Sequence, residues 1–443
     1  MKQELKRVLS FKDLLIYGML FMVVIAPMSV FGYVSKESHG MAPLVYLIGM
    51  IAMFFTALSY VQMSKHIPQA GSVYTYVKEG LNPHVGFLAG WLIILDYLLL
   101  PSVLYLMTSN FCVALIPSIP GWLWIIAFAT LNTVTNILGI EYTVRSGKLM
   151  LAFELTVLLL ILICGIMYIS AGGGSGSFNL HPFYQPGQIN LQFTASACSI
   201  AALGFLGFDA ISTLAEETIE PEKTVGRATL SALLLVGGLF VLQTYIVTLI
   251  TPDYTLINAE TAYFDAGAIV GGHWLKVLML AVSIMATGIA NTMTSQAATA
   301  RILFSISRDG LLPEFIGRVH PRFKTPHWAT LMVALLSLIC SLATDLEIII
   351  KLVNFGAVSA FILLNFTVFY FFFIRKGYRK FRSICIYLLA PWMGIIILAY
   401  IWTGFDVTCK IVGLSWLVIG IIYGAVQSKF YREVPQTMEK LEI

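Results

Sequence analysis

Charged residues are scarce in this chain. Only 11% of its 443 residues are Asp, Glu, Lys or Arg, while 58% are hydrophobic. Soluble domains carry about 25% charged residues, so the composition excludes a large soluble protein and indicates a polytopic membrane protein. The thickness of the bilayer, rather than a number of domains derived from length, then sets the size of the structural elements. No nucleic-acid partner is expected.

Cysteine clusters and catalytic motifs are also lacking. The 6 cysteines are scattered and form no Cys-x-x-Cys pair or Cys/His cluster, so neither a disulfide framework nor a metal site is predicted. The sequence contains no recognisable motif for a nucleophile–base pair or a phosphate-binding loop, which argues against an enzyme and against a cofactor. A sensor that binds without translocating would normally need a soluble signalling domain, and the short segment 428–443 offers none.

Apolar segments long enough to cross a bilayer follow one another along almost the whole chain. They predict twelve transmembrane helices. Their approximate ranges are 13–34, 42–63, 84–114, 119–140, 144–170, 190–216, 228–250, 272–300, 327–344, 349–373, 384–403 and 408–427.

The distribution of positive charge predicts the orientation. With both termini in the cytoplasm, the external segments hold only Lys36, Lys276, Lys351 and Lys410, and the other 23 of the 27 Lys and Arg residues face inward. This asymmetry follows the positive-inside rule and predicts a multi-pass protein of the cell membrane. The basic run at 375–382 is expected to contact anionic membrane lipid.

Two of the predicted helices carry residues that interrupt a helix. The first contains Ala26, Pro27 and Met28 in mid-membrane, and the sixth contains Gly204 and Gly207 close to an acid. Proline removes a backbone hydrogen bond and glycine weakens a helix. Interrupted helices at corresponding positions of two halves are typical of inverted-repeat transporters, which bind substrate near the bilayer midplane.

Three carboxylates, Asp96, Glu154 and Asp209, lie inside otherwise apolar segments, with no Lys or Arg near the middle of any segment. An acid at the centre of a membrane helix costs about 2.5–3.5 kcal/mol on insertion scales, so such residues have a functional role by default. The pattern predicts a cavity that attracts cations, with at least one acid able to carry a proton.

Three stretches resemble the amino acid–polyamine–organocation (APC) superfamily of permeases, and within it the putrescine importer branch. They are IPQAGSVYTYVKEGLNPHVGFLAGWLIILDYLLLP at 67–101, GFLGFDAISTLAEETIEPEKTVGRA at 204–228 and ARILFSISRDGLLP at 300–313. The resemblance implies an all-α integral membrane protein with a LeuT-like 5+5 inverted repeat, two C-terminal helices and alternating access.

The resemblance also implies a division of the chain. A single transmembrane permease domain would occupy 1–443, with the first five-helix repeat at 13–170 and the second at 190–373. Helices 11 and 12 would follow at 384–427, and 428–443 would form a cytoplasmic tail.

Asp209 and Asp96 are the predicted substrate ligands. Asp209 follows the sixth-helix glycines, where a carboxylate can accept a charge-assisted hydrogen bond from an ammonium group; the alternative is a structural acid that caps broken backbone. Asp96, followed by Tyr97, would hold the second ammonium group, or else bond to a neighbouring helix. Phe205 and Phe208 would contact the methylene spacer or an ammonium group, unless they only pack.

The first-helix segment and Glu154 suggest which substrate and which ion are transported. Amino-acid carriers of the superfamily usually present a glycine-rich stretch whose N–H groups bind a carboxylate, whereas this chain has Ala26, Pro27 and Met28. That favours a substrate without a carboxylate. Glu154, where relatives often carry Lys, is the candidate for proton coupling; a permanently protonated hydrogen-bond donor is the alternative.

The sequence therefore predicts a secondary transporter that imports putrescine or a similar small diamine by proton symport. A proton-coupled amino-acid permease on the same scaffold is the alternative.

Overall fold

The computed structural model describes residues 7, 9–68, 72–139, 144–185, 190–308, 315–323, 325–428 and 430. Across these ranges the chain consists of helices and loops, and its one β-type contact is an isolated bridge between Leu9 and Thr218. The predicted all-α class is confirmed.

The first seven α-helices make up the first half of the bundle. They are α1 (Phe11–Met22), α2 (Pro27–Glu37), α3 (Ala42–His66), α4 (Ser72–Gly80), α5 (Pro83–Leu115), α6 (Gly121–Leu138) and α7 (Val144–Ser170).

The second half is less regular and includes 3₁₀ and π segments. It comprises α8 (Leu191–Ala201), 3₁₀ turns at Ala202–Phe205 and Asp209–Glu217, α9 (Pro221–Ile250), α10 (Ala262–Ser283), a π segment at Ile284–Asn291, α11 (Thr292–Arg308), α12 (His327–Ala343), α13 (Leu346–Val368) and a π segment at Phe369–Arg375. The C-terminal helices are α14 (Phe381–Ile384), a π segment at Cys385–Leu389, α15 (Ala390–Thr403) and α16 (Val407–Gln427).

Each of the twelve predicted segments contains helix, although the number of spans stays a prediction. Within the described ranges, 10 helices are long and apolar enough to cross a membrane, and the bent pair α1–α2 makes 11. The shorter apolar helix α12 would be the twelfth. The division into repeats also stays a prediction, and most of the predicted tail, residues 429 and 431–443, lies outside the described residues.

Both predicted helix breaks are present. The axes of α1 and α2 differ by 55°, and Val23 between them has a φ of 54°. Pro27 is the first residue of α2 rather than an interior kink, a position that proline tolerates because its missing N–H has no helical partner there.

The sixth helix is interrupted more extensively. After α8 it tightens into a 3₁₀ turn, becomes extended at Leu206, and turns at Gly207 with a φ of 103°. A Cβ atom on Gly207 would overlap the ring of Phe21 in α1. Glycine is therefore required both for the backbone angle and for the contact between the two broken helices.

Candidate substrate-binding site

One cavity lies between the two broken helices and the helices that surround them. Its volume is about 370 Å³, and its walls come from α1, α2, α5, α7, the sixth-helix break, the π segment 284–291 and α11. Asp96, Glu154 and Asp209 all line it. The three acids that lie apart in the sequence thus meet in one cavity.

Asp209 lies in a cradle of hydrogen-bond donors. Ser72 Oγ donates to its Oδ2 at 3.2 Å, and the N–H of Gly207 donates to its Oδ1 at 3.3 Å. Tyr60 also hydrogen-bonds the carboxyl group, and its hydroxyl is 3.0 Å from Ser72 Oγ. The positive φ of Gly207 turns this N–H toward the carboxylate, so the break itself helps to orient the acid.

Asp96 is presented from the middle of the long helix α5. Gly356 of α13 packs directly against the α5 backbone at Leu92, and Thr299 of α11 donates to the carbonyl of Tyr97 at 2.8 Å. The Oδ1 atom of Asp96 is buried and has no hydrogen-bond partner among the described residues. A buried polar oxygen without a partner is costly unless a ligand or water satisfies it, so this oxygen is a candidate ligand for a bound cation.

Glu154 of α7 makes a different kind of contact. Its side chain is almost fully buried, and the backbone N–H of Val24 in the first-helix break donates to its carboxyl group. Its Oε2 atom is buried without a partner in the described part of the chain. Glu154 therefore links the cavity to the backbone of the first helix.

The other predicted site residues divide into two groups. Ala26 and Tyr97 line the cavity, whereas Pro27, Met28, Phe205 and Phe208 do not. Phe205 packs against Tyr46 and Phe240, and Phe208 against Tyr60 and Phe361, with ring centroids 5.4–6.1 Å apart. In this conformation the two rings therefore pack behind the cavity wall and do not line the cavity.

Sequence reasoning overlooked the wall formed by the eighth predicted helix. Asn291, Thr294 and Ser295 line the cavity there, next to a π segment, a feature often found at functional sites. The polar run NTMTS at 291–295 within an otherwise apolar span was the signal that could have identified this wall.

Positive charge is confined to one end of the cavity. Among the described residues Lys148 is the only Lys or Arg in the lining, and its Nζ lies 3.9 Å from Oδ1 of Asp13, where both side chains are about half exposed. At the opposite end the lining residues Val30, Met107 and Thr287 are buried. The cavity is therefore accessible from the end of the bundle at which α1 begins.

The chain is similar to known transporters over nearly its whole length. The profile of the amino acid permease family matches residues 16–437. The low-affinity putrescine importer PlaP of Escherichia coli K12 is 31% identical over 98% of this chain and 96% of the importer. The branched-chain amino acid permease BcaP of Bacillus subtilis is 25% identical over the same shares, and a methylthioribose transporter of Bacillus subtilis is 26% identical over 86% of this chain and 84% of that protein.

A bundle of apolar helices with two interrupted spans around a cavity that holds buried carboxylates is typical of secondary transporters. The family match makes this specific: the chain belongs to the amino acid permease family of the APC superfamily. It is a multi-pass membrane transporter and not an enzyme, and the resemblance inferred from the three motifs is confirmed.

Proposed function

We propose that this protein imports putrescine or a similar short diamine into the cell by proton symport and alternating access, with both termini in the cytoplasm. In this topology the accessible end of the cavity faces the cytoplasm. The observation that carries the proposal is the charge of the cavity. Four carboxylates line it, those of Asp13, Asp96, Glu154 and Asp209, and within the described residues the only Lys or Arg of the lining is Lys148, beside Asp13 at the mouth.

The two aspartates would bind the two ends of the substrate. Asp209 has a free side facing the cavity in addition to its donors, and Asp96 has an unpartnered oxygen. An ammonium group satisfies each carboxylate with a short, charge-assisted hydrogen bond. Tyr97 lines the cavity beside Asp96, and Ala26 adds to the wall; Pro27, Met28, Phe205 and Phe208 shape the site through packing.

The first-helix break supports a substrate that lacks a carboxylate. The N–H of Val24 bonds to Glu154. The N–H groups of Ala26, Met28 and Ser29 donate to carbonyls three residues earlier, at 2.8, 2.9 and 3.1 Å, and Pro27 has no N–H. An α-amino acid would need such donors for its carboxylate, whereas a diamine would not.

Glu154 is the proposed site of proton coupling. The hydrogen bond from Val24 N–H is charge-assisted when the carboxyl group is ionised and weaker when it is neutral. Gain or loss of a proton in the cavity would therefore change how firmly α7 holds the first-helix break, which is the segment that has to move in alternating access.

The membrane potential favours import of a dication. It contributes about 2.3 kcal/mol per charge per 100 mV, and thus about 4.6 kcal/mol for putrescine, which corresponds to roughly three decades of accumulation. A neutral amino acid gains nothing from the potential, so the response to potential separates the two substrate classes.

Uptake of labelled putrescine into proteoliposomes held inside-negative, with and without an inward proton gradient, tests the proposal. We expect saturable uptake whose rate rises with the proton gradient at fixed potential. Excess leucine or lysine, added as competitors, should have little effect on this uptake. Uptake that responds to the potential alone would show that Glu154 does not couple protons to transport. Strong competition by amino acids, or no saturable putrescine uptake by folded protein, would contradict the diamine assignment.

A further inference from the structure

The carbonyl of Val24 is held by a residue that the transport site does not include. In a continuous α-helix this carbonyl would accept the N–H of Met28, but Met28 donates to Ile25 instead, at 2.9 Å. Gln243 of α9 takes its place, and its Nε2 donates to the Val24 carbonyl at 3.0 Å. The break in the first helix thus frees one acceptor, and a side chain from another helix satisfies it.

Gln243 has a second partner. Its Oε1 accepts a hydrogen bond from the hydroxyl of Tyr263 at 3.1 Å, and both side chains are buried. A buried amide is costly unless both of its ends are bonded. The pair therefore has one well-satisfied arrangement, in which Val24, Gln243 and Tyr263 form a continuous chain of hydrogen bonds.

Tyr263 belongs to a segment that packs on the outer half of the first helix. The non-helical φ and ψ of Gly272, 77° and −176°, separate residues 262–271, here called the outer helix, from the rest of α10. The Tyr263 ring meets Phe31 of α2 edge-on at 5.8 Å. Gly32, also in α2, lies so close to the backbone of Ala259 that a Cβ atom would overlap it.

We propose that Gln243 and Tyr263 are positioning residues that lock α2 against the outer helix and so keep the cavity closed on the outer side. The lock acts through the Val24 carbonyl, on the same residue whose N–H is bonded to Glu154. Opening of the outer side moves α2 and breaks this chain of bonds. The inference rests on the proposed function only for the assignment of this side to the cell exterior.

Accessibility of a cavity cysteine from outside tests the lock without any transport. Ser29 of α2 lines the cavity, so Ser29→Cys is the reporter, reacted with a membrane-impermeant thiol reagent on intact cells. Tyr263→Phe, placed in the reporter background, is expected to raise the labelling rate about fivefold, the effect of losing one net hydrogen bond. Gln243→Leu in the same background removes two hydrogen bonds and is expected to raise the rate by more than that. The parent chain without the reporter corrects for the six native cysteines.

Tyr46→Phe is the matched control, because Tyr46 is equally buried and its hydroxyl has no partner among the described residues. It should label at the parental rate. The double variant Gln243→Leu/Tyr263→Phe should label no faster than Gln243→Leu, since Tyr263 reaches Val24 only through Gln243. Equal rates for Tyr263→Phe and Tyr46→Phe, or a rise seen only with reagent on the cytoplasmic side, would overturn the lock even if putrescine proves to be the substrate.

Discussion

The two helix breaks that face the cavity are stabilised in opposite ways. The sixth-helix break supplies its own charge, because Asp209 sits in it and accepts the N–H of Gly207 two residues earlier. The first-helix break has no charged residue, and its exposed peptide groups are bonded from outside, by Glu154 on the N–H side and by Gln243 on the carbonyl side of Val24. One break carries a carboxylate, which we propose as a substrate ligand, whereas the other is held by its neighbours.

We infer from this difference that the two breaks have separate tasks. A carboxylate fixed by its own backbone presents a constant binding site to a cation. A backbone segment held by groups on other helices changes its position when those groups change their bonding. We therefore expect substitutions in the sixth-helix break to alter substrate affinity, and substitutions around the first-helix break to alter coupling and conformational equilibrium.

The largest effect is expected from Asp209→Asn. The amide keeps the size of the side chain but removes the charge that would bind an ammonium group, and loss of a buried charged partner costs about 2 kcal/mol or more, which is about a 30-fold rise in KM. Asp253→Asn is the control, because Asp253 lies in an exposed loop and accepts hydrogen bonds from the backbone and hydroxyl groups of Thr255. Putrescine uptake kinetics measure both, and an unchanged KM for Asp209→Asn would refute the assignment of the charge to the sixth-helix break.

The second prediction compares the two glycines of the sixth-helix break. Gly207→Ala places a Cβ at a φ of 103° and against Phe21, whereas in Gly204→Ala the new Cβ meets the Phe240 ring at 3.2 Å. Strained backbone of this kind costs about 1–3 kcal/mol, so Gly207→Ala should lower the thermal unfolding temperature by several degrees and Gly204→Ala by much less. Equal shifts in a thermal melt of the purified proteins would show that the turn at Gly207 does not maintain the break.

Glu154→Gln tests the first-helix break. The glutamine oxygen can still accept the Val24 N–H, so the fold is expected to persist, but the side chain no longer exchanges a proton. A gradient of one pH unit supplies about 1.4 kcal/mol per proton, or a tenfold accumulation. The parent protein should show this gain at fixed membrane potential, and the variant should show potential-driven uptake alone. A variant that keeps the full response to the proton gradient would separate Glu154 from coupling.

The acids and the breaks could be predicted because both violate a simple energetic rule. A carboxylate such as Asp96 in an apolar span and a proline such as Pro27 in mid-membrane are costly in hydrocarbon, so the sequence alone marks them. Membership of the superfamily followed from local motifs. The partners of these groups were not predictable, because Ser72 and Asp209, or Val24 and Gln243, are more than 130 residues apart and meet only in the folded bundle.

The positions of Phe205 and Phe208 show what the sequence does not reveal about a broken helix. Both rings flank the break close to Asp209 in the sequence, so contact with the substrate was predicted for them, with packing alone as the alternative. The chain instead passes through a 3₁₀ turn, extended backbone at Leu206 and a left-handed residue at Gly207. These turns direct the two rings into the aromatic core while the carboxylate remains at the cavity wall.

The smallest effect is expected from Ser72→Ala. Ser72 is the first residue of α4, and its hydroxyl links this helix to the sixth-helix break. Removal of its hydroxyl takes one donor from Asp209 and leaves Tyr60 and Gly207 in place. One net hydrogen bond of about 1 kcal/mol orients the carboxylate, so KM should rise about fivefold with little change in maximal rate. Ser283→Ala removes a buried hydroxyl without a partner in the described ranges and should leave KM unchanged. If the maximal rate fell while KM stayed constant, Ser72 would act on the movement of the sixth helix rather than on its charge, and the division of tasks between the two breaks would have to be redrawn.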